Sequence, residues 1–190
     1  MSERVTFFID GTNLYFGLIK DLKRLDLDFQ KLVQKLLNGR TLSRVYYYAV
    51  VPSEEQAVLL PDYESHKRQM KFLDALRHLP YFEVVLGRLV LHNTSYIEKG
   101  VDVAIALDML DLQNTYETAV LISGDSDFCR AVQLVKRGGK HVENASTRTI
   151  SSRDLQQACD VFYLLDGEYL KDCCRYKTST FVILLIREYR

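Results

Sequence analysis

At 190 residues, with 47% hydrophobic and 26% charged side chains, the chain has the size and balance of one globular domain with a proper core. Basic and acidic residues number 25 each, so a global field toward nucleic acid or membrane is excluded and only local patches remain. No run approaches the roughly 18 apolar residues of a bilayer span, and MSERVTFFIDG shows no secretory leader, so a cytoplasmic protein without a membrane partner is expected.

Val5 to Ile9 is a short continuous apolar run, the pattern of a strand buried on both faces. It ends at Asp10-Gly11-Thr12-Asn13, and Leu14, Leu18, Ile19 and Leu22 then follow with helical spacing, Thr12 or Asn13 being placed to cap that helix. Phe29 to Leu37 is a second amphipathic helix, stopped by Asn38-Gly39. Val45 to Val51 is the next strand, whose tyrosines suit core and edge packing. A loop from Pro52 to Pro61 leads to a long helix, Tyr63 to Leu79, that ends before Pro80.

Phe82 to Leu86 and Arg88 to Leu91 flank Gly87 as one bent strand or a tight hairpin. Glu98-Lys99-Gly100-Val101-Asp102 opens a helix apolar almost all round, which is expected to be buried centrally. Ala119 to Ile122 is another buried strand, broken by Ser123-Gly124 and followed by Asp125, Asp127 and the helix-spaced Phe128, Ala131, Val132 and Val135. That helix ends at Lys136-Arg137-Gly138-Gly139, with cations in its last turn and glycine beyond. Lys140 to Ala145 is a short, less apolar strand expected near a sheet edge. Asp154 to Ala158 is a short helix and Val161 to Leu165 a last strand. The run Phe181 to Ile186 suits strand or helix equally, and homo-oligomer formation through it stays open.

The four cysteines, Cys129, Cys159, Cys173 and Cys174, show neither CxxC spacing nor paired histidines; reduced thiols are expected and a zinc site is not. Strands alternating with helices argue for an α/β, three-layer sandwich: a mostly parallel central sheet with helices on both faces.

Three segments deliver acids without obvious basic partners: Asp10, Asp102 and the pair Asp125/Asp127. Each has a structural alternative. Asp10 could serve a turn or cap, Asp102 could complement the helix dipole, and Ser126 or Asp127 could cap the helix after the fourth strand. In a parallel sheet, however, the ends of the first and fourth strands face one side, and ligands bind beyond the strand carboxyl ends. Carboxylates gathered there cannot all stay ionised without a cation. All-oxygen donors without histidine suit Mg²⁺ or Mn²⁺, and such ions serve phosphoester hydrolysis. A haloacid-dehalogenase-type phosphatase would need an aspartate where Phe8 stands, and no GxxxxGK[ST] is present for a P-loop.

Phe8-Ile9-Asp10-Gly11-Thr12-Asn13-Leu14, Lys99-Gly100-Val101-Asp102, Ile122-Ser123-Gly124-Asp125-Ser126-Asp127-Phe128 and Leu155-Gln156-Gln157-Ala158-Cys159-Asp160 together resemble an NYN domain of the LabA-like group, related to PIN-domain ribonucleases. The likeness covers roughly residues 5 to 165, so residues 1–165 are expected to form an NYN/PIN-like domain and residues 166–190 a C-terminal extension. It implies a PIN-like fold and a metal-dependent ribonuclease with Asp10, Asp102, Asp125 and Asp127 as metal-binding acids and Asn13 orienting the first. Asp160 matches a recurring family acid and is taken as structural. Between Cys129 and Arg153 the basic residues Arg130, Lys136, Arg137, Lys140, Arg148 and Arg153 face only Glu143 in opposition, a strip on which an RNA backbone could rest. The alternative from another class is a non-catalytic RNA-binding or scaffold protein that keeps the fold.

Overall fold

The computed structural model describes residues 3–52, 56, 58, 63–92 and 95–174. Its strands are β1 (Arg4–Asp10), β2 (Thr41–Val51), β3 (Phe82–His92), β4 (Ser95–Lys99), β5 (Thr118–Ile122), β6 (His141–Ser146) and β7 (Val161–Leu164). Its helices are α1 (Gly11–Gly17), α2 (Phe29–Leu37), α3 (Tyr63–Arg77), α4 (Val101–Asp111), α5 (Cys129–Arg137) and α6 (Arg153–Ala158). The sheet order is β4-β3-β2-β1-β5-β6-β7. Six strands are parallel, and β4 runs antiparallel to β3 at one edge. The chain winds outward from β1 through β2 and β3, then returns to place β5 on the other side of β1. That reversal opens a crevice at the carboxyl ends of β1 and β5.

Alternation along the strands divides the core into two layers. Phe7, Ile9, Val120 and Ile122 pack with α2 and α3 on one face. Phe8, Leu121 and Val142 pack with α4, α5 and α6 on the other. β1 and β5 occupy the middle of the sheet, and their apolar runs are fully buried because both faces are covered. Tyr47 and Tyr48 are core residues, and Phe8 stacks on Tyr46.

One open reading is decided and two expectations are corrected. Residues 82–92 form one strand through Gly87; the hairpin lies later, between β3 and β4, and β4 adds a strand that its short, mixed sequence did not announce. The first helix changes register at Leu18–Leu22 into a π-helical turn that ends at left-handed Lys23. α4 is not buried centrally: Val101, Ile105 and Met109 form one covered seam, while Val103 and Leu107 are 63% and 59% exposed. An outer-layer helix touches the sheet along one stripe only, whatever its composition. β6 lies near an edge as expected, one strand in, between β5 and β7. Its buried acid Glu143 is held by a two-pronged pairing with Arg40 at 2.7 and 2.9 Å.

Residues 166–174 fold back on α2. Leu170 and Cys173 join the core, the Asp28 amide donates to the Cys173 carbonyl at 2.7 Å, and Lys35 Nζ donates to the Tyr169 carbonyl at 2.6 Å. The run Phe181 to Ile186 lies outside the described residues.

Candidate active site

Asp10 closes β1 and opens α1. Its Oδ1 accepts from the Asn13 amide at 3.0 Å, so Asp10 itself is the helix cap in place of Thr12 or Asn13. Its Oδ2 accepts from the Ser123 hydroxyl at 3.1 Å. The residue is only 4% exposed. Burial pushes its pKa up to about 6 against those two hydrogen bonds, with Asp102 and Asp125 adding repulsion.

The Asn13 side chain, freed from capping, reaches across the crevice and accepts from the Gly124 amide at 2.8 Å. This pins the exit of β5 to the start of α1. Neither glycine at this junction tolerates a side chain. A Cβ on Gly11 would stand 2.6 Å from the Tyr47 hydroxyl and the Tyr48 carbonyl oxygen, and one on Gly124 would stand 2.1 Å from the Ile150 carbonyl oxygen. The Ser152 amide also donates to the Gly124 carbonyl at 2.9 Å, so the loop after β6 forms a wall beside the β5 exit.

Ser123 carries the network onward by accepting from the Asp125 amide at 3.2 Å. Asp125 then caps the short 3₁₀ turn Ser126–Phe128, its Oδ1 accepting from the Asp127 amide at 3.0 Å; Ser126 and Asp127 are not the caps. Asp102 enters from the first turn of α4. Its side chain reaches the surface, yet enough protein surrounds it that desolvation, followed by Asp125 and Asp127, raises its pKa. Asp10, Asp102, Asp125 and Asp127 thus share one electrostatic neighbourhood at the switch point. Among the described residues none of the four is ion-paired with Lys, Arg or His. Nor do any three His, Cys, Asp or Glu side chains among those residues make a ready-made metal-binding group. The donor set is all oxygen and uncompensated, which fits a hard divalent ion that keeps part of its water shell.

The basic strip is divided by the topology. α5 and α6 run back against the strands, so Arg130 and Arg153 at their first turns, and Arg148 in the loop after β6, lie at the acid-bearing end and are exposed. Lys136 and Arg137 lie at the far end of α5. Lys136 is held there by the Ala158 carbonyl at 2.9 Å and Asp160 at 2.7 Å. Asp160 also accepts from the Val142 amide at 2.8 Å, a structural role.

Two residues of the site went unread in the sequence. Ser123 was visible only as a strand breaker, though its hydroxyl links Asp10 to Asp125. Asn144 was visible only as a polar residue in β6, though its amide donates to the carbonyls of Leu121 and Ser123 at 3.0 and 2.8 Å.

A doubly wound sheet with an uncompensated carboxylate group at its switch point defines an α/β domain of PIN-like build. The NYN domain family model matches residues 4–166, and the chain belongs to that family. It is similar to the low amplitude and bright protein LabA of Synechococcus elongatus, with 29% identity over 165 residues that cover 83% of this chain and 81% of that protein. These two relationships place the chain in the LabA-like group and support a nuclease or hydrolase reading at that coarse level. The crystal structure of a protein of unknown function from Vibrio parahaemolyticus matches with a TM-score of 0.70 at 22% identity, covering 88% of this chain and 95% of that one. That likeness is one of fold. No helix among the described residues is long and apolar enough to cross a membrane.

Proposed function

We propose that this chain is a Mg²⁺- or Mn²⁺-dependent ribonuclease that hydrolyses RNA phosphodiester bonds in the crevice at the ends of β1 and β5. The observation that carries the reading is Asp10: a carboxylate at 4% exposure, crowded by Asp102 and Asp125 and without a cationic partner among the described residues. Such a group is costly to a fold that does not use it. Asp10, Asp102, Asp125 and Asp127 would hold the ion. Bound there, it would supply an acidified water and charge stabilisation for the phosphoryl group.

The chain's own residues do the rest. Asn13 and Ser123 fix the two oxygens of Asp10, and Ser123 also sets the backbone from which Asp125 projects. Arg130, Arg148 and Arg153 would take the phosphates flanking the cut, a positioning role without base preference. Lys136 and Arg137 are too far along α5 to serve the same strand at the crevice.

A second reading, a non-catalytic RNA-binding or scaffold protein, is favoured by one observation: no three acids among the described residues make a ready-made metal group. The two readings separate in one assay. Purified protein with Mn²⁺ should cut labelled single-stranded RNA, and Asp125→Asn should abolish cutting. Salt-sensitive RNA binding with no cutting under any divalent ion supports the second reading.

A further inference from the structure

β6 places one fully buried amide beside the exit of β5. Asn144 Nδ2 donates to the carbonyl of Leu121, one residue before β5 ends, and to the carbonyl of Ser123, one residue after. The two bonds bridge the bend where the chain leaves the sheet. The Asn144 Oδ1, however, is buried with no hydrogen-bond partner among the described residues. A buried acceptor left unpaired offsets about what a net hydrogen bond contributes, so stability alone is a weak reason for an amide here.

Direction is a stronger one. With its carbonyl turned to Asn144, Ser123 leaves its hydroxyl on the crevice side, where it donates to Asp10 and accepts from the Asp125 amide. Asn144 therefore lies behind Ser123, which joins Asp10 at the end of β1 to Asp125 beyond β5. We propose that Asn144 is a positioning residue of the acid site, fixing the Ser123 backbone so that Asp10 and Asp125 keep their mutual placement. Its catalytic consequence rests on the ribonuclease reading above.

The test is Asn144→Leu, which keeps the bulk and removes the donors, read in two ways on the full chain. In metal-free protein, amide hydrogen exchange should become at least about tenfold faster at Gly124 and Asp125, with Phe8 and Val45 in the neighbouring strands unchanged. In RNA hydrolysis, kcat should fall about 10- to 100-fold while KM holds. Unchanged exchange at Gly124 and Asp125, or equal acceleration at Phe8 and Val45, overturns the proposal; so does a shift confined to KM. Should Asn144→Leu fail to fold, the smaller Asn144→Ala removes the same two donors. It must accelerate exchange at Gly124 and Asp125, and unchanged exchange there is equally fatal. A wild type that cuts no RNA removes the ribonuclease reading, and the exchange data then decide the positioning role alone.

Discussion

The Asp10 carboxylate and the Ser123 hydroxyl, 113 residues apart in sequence, are hydrogen-bonded at 3.1 Å inside the protein. This contact ties the first strand to the fifth at the point where the sheet reverses direction. It makes a buried acid part of the same unit as Asp125, whose amide rests on the same hydroxyl.

The ionised Asp10 side chain works against the fold. Its pKa lies near 6 in the folded chain against an ordinary 3.8, so the folded form holds more protons between those values and stability falls as pH rises through that window. At about 1.4 kcal/mol per pH unit, the displaced titration is worth roughly 3 kcal/mol at neutral pH. Asp10→Asn keeps an acceptor for the Asn13 amide and removes the charge. In metal-free urea titrations it should be the more stable protein at pH 7, with the difference vanishing toward pH 4. A difference that stays constant across that range contradicts the assignment.

The β5 exit has no spare volume. Gly124→Ala would put a methyl group 2.1 Å from a main-chain carbonyl oxygen at Ile150, an atom that cannot rotate away. A loss of about 1–3 kcal/mol is expected from denaturant midpoints. RNA cleavage should fall further than stability, because the loop that must move borders the acids. Wild-type stability and activity in this variant would mean the loop is freer than its contacts with Gly124 and Asp21 indicate.

Much of this was legible locally. β1 and β5 showed themselves as short unbroken apolar runs because both their faces are covered, and α2 by its caps and period. Asp10, Asp102 and Asp125 stood out because each follows a strand or opens a helix with no base beside it. What stayed hidden depends on contacts between distant residues. No local pattern distinguishes Ser123 as a bridge from Ser123 as a turn, or assigns Asn144 to two carbonyls at the exit of another strand. β6 is more buried than its mixed composition announces, because nothing local shows that Glu143 meets Arg40, 103 residues away. α4 was misread in the opposite sense: Val103 and Leu107 are apolar and exposed, and composition does not report which stripe of a helix meets the sheet.

The division of the basic strip gives a salt-dependence prediction. On single-stranded RNA each lost phosphate contact flattens the slope of log K against log salt by about 0.7. Arg148→Ala with Arg153→Ala should therefore flatten it by roughly 1.4. Lys136→Ala should leave the slope as it is, because that ammonium is already engaged by Asp160 and the Ala158 carbonyl. Filter binding across a salt series reads both. An equal effect of all three substitutions would restore a continuous strip.

Four acids that act as one hydrolytic site should be strongly non-additive when removed. The most direct measurement is the Mn²⁺-dependent cleavage rate of one single-stranded RNA by Asp10→Asn, Asp102→Asn and the protein carrying both changes. Each single variant should lose at least about a thousandfold, and the double variant should lose little more than either alone. Losses that multiply, or an Asp102→Asn protein that cuts like the wild type, would show that these acids do not share a site.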